Sequence, residues 1–129
     1  MKNLLLSISI SFFAVVTFGQ EFSTSKSSLN PTSKQYAVDW NISDTLISFK
    51  YTHPKMIKTM EKYGGVIENN FTVDNVKTAP NGGKIYYVKV LDIRQRITLV
   101  ADKKNNSYIV LYETFDEFKN EWSQATYYN

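Results

Sequence analysis

The side chains able to do chemistry are few and scattered. His53 is the single histidine of the chain and cysteine is absent, so composition removes thiol nucleophiles, Cys/His zinc sites and relays that need two imidazoles. His53 stands immediately before Pro54 at the expected start of a helix, where an imidazole caps the first turn or faces water. Asp39, Asp44, Asp74, Asp92 and Asp102 do not follow the spacing of a calcium loop, and neither a metal nor another cofactor is expected. Glycoside cleavage needs two carboxylates, one held protonated and one ionised. Asp39 and Glu113, each within or at the end of an expected strand and flanked by aromatics, are the pair best placed for it. Carboxylates on a half-exposed strand are also the ordinary solvent face of a sheet, and this second reading is preferred, so no catalytic residue is assigned. Arg94 and Arg96 are the only arginines; two apart in a strand they point the same way, as a two-pronged anion clamp would. Lys103 and Lys104 lie about 17 Å further along and do not join them.

These residues must be positioned by elements whose limits the hydrophobic pattern sets. Met1-Lys2-Asn3 precede an apolar run from Leu4 to Phe18, and Thr17 and Gly19 place small residues where a cleavage site before Gln20 requires them. Residues 1–19 are therefore expected to be a signal peptide. The protein is expected in the periplasm or outside the cell, without a stable membrane anchor or a lipid-acceptor cysteine. Residues 20–34 are rich in Ser and Thr and are expected to form a disordered polar leader; residues 35–129 are expected to fold as a single α+β domain.

Within that domain Tyr36, Val38, Trp40 and Ile42 alternate with polar neighbours, and Ile47, Phe49 and Tyr51 do the same after a turn at Ser43-Asp44, which predicts a hairpin. Helical spacing takes over at Pro54, with Met56, Ile57, Met60 and Tyr63 on one face and Gly64-Gly65 as a left-handed stop. Strands are expected at 70–77 and 84–92 around Pro80-Asn81-Gly82-Gly83, and at 96–101 and 108–113 around a polar loop. Thr114 and Glu117 are spaced as a capping box ahead of Phe115, Phe118, Trp122 and Ala125, which predicts a closing helix. The expected fold is thus α+β: a mostly antiparallel sheet, or a small partly closed barrel, of about six strands with an internal helix and a C-terminal helix.

The segment Tyr108 to Ala125, a strand running into a capped helix with an inward Trp122, resembles the end of a pleckstrin-homology domain. The strand-rich body resembles small lipocalin-like barrels in general arrangement. Neither resemblance rests on a defining motif, and no function or site residue is carried over.

The formal net charge is +3, with both signs interspersed, which is not the footprint of a nucleic-acid binder. Asn41-Ile42-Ser43, Asn70-Phe71-Thr72 and Asn105-Asn106-Ser107 match the short N-glycosylation pattern. The strand at 84–92 is apolar on both faces, so both sides need cover from helices, from closure of the sheet or from a partner. The functional expectation is an exported, non-enzymatic binding or interaction domain. Its partner is expected to be a protein or a small apolar ligand, with Trp40, Phe49, Tyr86, Tyr87 and Val88 as candidate binding residues. A small exported hydrolase using carboxylates is the alternative.

Overall fold

The computed structural model describes residues 19–80 and 82–129. Residues 1–18 of the expected signal peptide lie outside the described residues. Nine strands and one helix follow one another: β1 (Gln20–Thr24), β2 (Lys26–Ser27), β3 (Val38–Ile42), β4 (Leu46–Tyr51), α1 (Pro54–Tyr63), β5 (Glu68–Thr78), β6 (Lys84–Val90), β7 (Ile93–Asp102), β8 (Ser107–Asp116) and β9 (Glu121–Tyr128). From β3 to β9 each strand pairs antiparallel with the next. β1 then pairs with β3 while β2 pairs with β9, so a single N-terminal segment bridges the two edges of the meander. The result is a nearly closed, barrel-like sheet.

This architecture corrects the expected fold at three points. The chain has nine strands and one helix among its described residues, not about six strands and two helices. The segment 114–125 is the end of β8, a turn and most of β9. Asp116 Oδ1 accepts hydrogen bonds from the backbone N–H of Phe118 and Lys119, and Asn120 takes the left-handed conformation (φ 52°), which turns the chain back instead of starting a helix. Pairing of Glu113, Phe115 and Asp116 with Gln124, Trp122 and Glu121 then fixes the hairpin, and the likeness to a pleckstrin-homology terminus disappears with the helix. Third, the stretch expected as a disordered leader contains β1 and β2. Of the inward-facing Gln20, Phe22 and Thr24 of β1 only Phe22 is apolar, too little for a periodic signal, and the strand exists because it closes the sheet.

The closing segment is tied at both ends. Thr24 is buried and its hydroxyl accepts a hydrogen bond from Trp40 Nε1 at 3.0 Å; Ser25 N–H donates to Tyr128 O at 3.0 Å and Ser28 N–H to Thr126 O at 2.9 Å. Inside, the alternation of each strand delivers one ring or branched side chain per step. Trp40 lies 5.2 Å from Phe49 and 5.3 Å from Tyr127 between ring centroids, and Phe49 lies 5.7 Å from Phe71 and 6.0 Å from Tyr112. Val38, Ile47, Ile97 and Val110 are fully buried among them. The middle of the barrel is a packed core, in keeping with a barrel of this small size.

The helix follows its sequence signals. His53 Nδ1 accepts from Lys55 N–H at 3.1 Å, Pro54 occupies the first turn, and Gly64 closes the helix at φ 70° with its N–H on Met60 O.

Candidate functional site

The inward residues at the end of the barrel where β1 begins do not meet across the interior. Gln20 on β1, Lys84 on β6, Ala101 on β7 and Tyr108 on β8 surround a pocket of about 420 Å³, with Tyr86 and Leu99 one step further in. Each is placed there by register. Gln20 opposes Ile42, Tyr86 opposes Ile97, Leu99 opposes Val110 and Ala101 opposes Tyr108, which puts these residues on the pleat face that continues into the core two residues deeper. The β5–β6 turn contributes Gly82 and Gly83, and Gly82 holds φ 85°, the backbone its tight turn requires.

The floor is apolar and the rim polar. Tyr86 is 2% exposed and Leu99 4%; burial pushes the Tyr86 phenol up to about 12, with the nearby Asp44 charge adding to the effect. At the rim Tyr108 donates from its hydroxyl to Gln20 Oε1 at 3.2 Å, and its ring packs on Phe22 at 5.0 Å. Lys84 Nζ lies 3.6 Å from Asp44 Oδ1, an exposed pair that screens easily. Lys103 projects from the β7–β8 loop at the same rim. Such an arrangement can hold a small molecule with an apolar body and a polar or anionic end, and barrel mouths are a usual place for such sites.

The candidate binding residues divide differently from expectation. Trp40, Phe49, Tyr86 and Val88 all point into the core and are buried, so only Tyr86 reaches the pocket. Tyr87 faces outward, with Lys77 Nζ 5.4 Å from its ring centroid. The doubly apolar strand is β6, and among the described residues no helix pair covers it: its outer Ile85 sits in a cross-strand row with Thr98, Leu111 and Thr126. Gln20, Leu99, Lys103 and Tyr108 were missed. The signal available was the inward parity of Lys84, a charge on the core face of an otherwise apolar strand.

The other candidate chemistry is internally engaged. Asp39 Oδ1 accepts from Ser23 Oγ at 2.6 Å. Glu113 takes both Arg96 Nε (2.9 Å) and Nη2 (3.0 Å), a bidentate pair that raises the guanidinium pKa. Arg94 and Arg96 do point the same way, but their guanidinium carbons lie 4.0 Å above the rings of Phe115 and Trp122, so the clamp is filled by the chain's own side chains. A second depression of about 470 Å³ lies against the polar outer face of β1, β3 and β4. Four of its polar side chains are paired with each other, Asp39 with Ser23 and Asn41 with Glu21, which makes it the poorer ligand site. Comparison of the chain with protein-family models, curated proteins and solved structures finds no match.

Proposed function

We propose that this chain is an exported, non-catalytic binding domain, and that its mouth pocket takes a small amphipathic ligand. The observation that carries the reading is the convergence of inward residues from β1, β6, β7 and β8 on one pocket with an apolar floor and a polar rim. The ligand's apolar body rests on Tyr86 and Leu99, while its polar end meets Gln20, Tyr108 and the ammonium groups of Lys84 and Lys103. Export rests on Lys2, the apolar run and the small residues at Thr17 and Gly19. Intact Met1 to Asn129 recovered from membranes would remove that part of the proposal. What favours binding over a carboxylate hydrolase is that Glu113 spends both oxygens on Arg96 and Asp39 holds Ser23 through Oδ1.

The test is a titration of the purified protein with dodecanoate, compared with an Ala101→Trp variant. Ala101 is an exposed wall of the pocket, so the indole fills the mouth without entering the core. Saturable binding that disappears in Ala101→Trp, with an unchanged unfolding curve, is expected. Equal binding by both proteins, or none by the parent, overturns the mouth assignment. Turnover in a hydrolase screen that is abolished by Asp39→Asn or Glu113→Gln would put the enzyme reading first.

A further inference from the structure

The opposite end of the barrel holds a second cleft of about 420 Å³, between the β6–β7 and β8–β9 turns. Ile93, Phe115 and Phe118 supply its apolar border, and the charged residues that line it, Asp92, Asp116 and Glu117, are all acidic. Phe118 is 103% exposed and Leu91, beside Asp92, is 88% exposed. Leu91 also holds φ 55°, a left-handed backbone that a bulky side chain adopts only at a cost. The fold gains no packing from either residue.

The adjoining outer face shows what its aromatic rings accept. The guanidinium of Arg94 lies 4.0 Å from the ring centroid of Phe115, and Arg96 lies over Trp122 while Glu113 holds it by two hydrogen bonds. Phe118 repeats the combination of ring and carboxylate, with Glu117 and Asp92 on the same cleft, yet among the described residues no ring or cation rests on it. Asp116 spends Oδ1 on the turn, accepting from Phe118 and Lys119 N–H. Glu117 and Asp92 are exposed and ready to pair.

We infer that this cleft docks an arginine side chain of a partner protein, its guanidinium stacked on Phe118 and paired with Glu117 or Asp92, its aliphatic stem against Ile93. A guanidinium suits this better than an ammonium, because it is planar, weakly hydrated and able to stack and pair at once. The inference is independent of the mouth pocket.

The test is an NMR titration of the isotope-labelled protein with a capped Gly-Arg-Gly-Arg-Gly peptide, alongside its lysine and citrulline counterparts, on parent, Phe118→Ala and Glu117→Gln. Expected are saturable shifts at Ile93 and Phe118 with the arginine peptide and binding roughly tenfold weaker for lysine. Phe118→Ala should lose binding while its unfolding curve stays that of the parent, since the ring is fully exposed. Equal affinity for all three peptides, no saturation, or undiminished binding by Phe118→Ala overturns the inference. A Phe118-dependent dimer in the absence of peptide assigns the cleft to a second copy, and Phe118-dependent adsorption to neutral lipid vesicles assigns it to a membrane; either outcome also overturns it.

Discussion

The two ends of the barrel are made from the same parts, tight turns joining antiparallel strands, but they present opposite chemistry. At the mouth the apolar groups Tyr86 and Leu99 lie low, with Gln20, Lys84 and Lys103 above them. At the far end Leu91 and Phe118 stand outermost and carboxylates line the cleft beneath. Between the ends the rings of Trp40, Phe49, Phe71 and Tyr112 fill the interior. A filled small barrel has its middle occupied by packing, which leaves its rims free for the recognition proposed above, a buried floor suiting a small ligand and an exposed ring suiting a protein surface.

The largest effect should come from breaking the middle. Trp40→Ala removes three ring contacts and strands the Thr24 hydroxyl that anchors the closing strand. A loss of about 3–5 kcal/mol in a denaturant melt is expected. Alkali tests the same core by another route. Burial raises the phenols of Tyr86 and Tyr112 to about 12 and moves Tyr51 and Tyr127 in the same direction. The unfolded chain then loses phenol protons near pH 10 while the folded one keeps them, so stability should hold below pH 10 and fall as pH rises toward 12. Stability that stays flat across this window in a pH series of melts would mean that the rings are wet.

Away from the core the effects shrink. Arg96→Ala removes the pair with Glu113 and the stack on Trp122 from a half-exposed outer face, and about 1–2 kcal/mol is expected from the same melt. A loss as large as that of Trp40→Ala would mean that the outer face belongs to the core. His53→Ala should cost only about 0.5 kcal/mol, because it removes one exposed N-cap bond. It should leave binding at both ends unchanged, as titrations with dodecanoate and the arginine peptide can check.

Sequence pattern reached those parts of the fold that local rules determine. The hairpin of β3 and β4 followed from alternation of Val38, Trp40, Ile42, Ile47 and Phe49, and the helix limits from Pro54 and Gly64. It failed where a tertiary partner decides. Phe115, Phe118, Trp122 and Ala125 fit a helical stripe, yet Trp122, Gln124 and Thr126 also alternate with Ser123, Ala125 and Tyr127, and pairing with β8 selects the second period. β1 offers one apolar inward residue, Phe22, in a polar stretch, so only the open edges of β3 and β9 reveal its place. The site is hidden for the same reason: of the candidates Trp40, Phe49, Tyr86, Tyr87 and Val88, all but Tyr87 fill the barrel, whereas the mouth is defined by Gln20, Lys84 and Tyr108 from strands far apart in the chain.

Whether the ends recognise and the middle only packs is decided by mapping where dodecanoate perturbs the NMR spectrum of the labelled protein. Shifts centred on Gln20, Lys84, Leu99 and Tyr108 are expected, with the Trp40 indole N–H and Phe118 unmoved. Largest shifts at Trp40, Phe49 and Tyr112 would place the ligand inside the barrel and contradict that division.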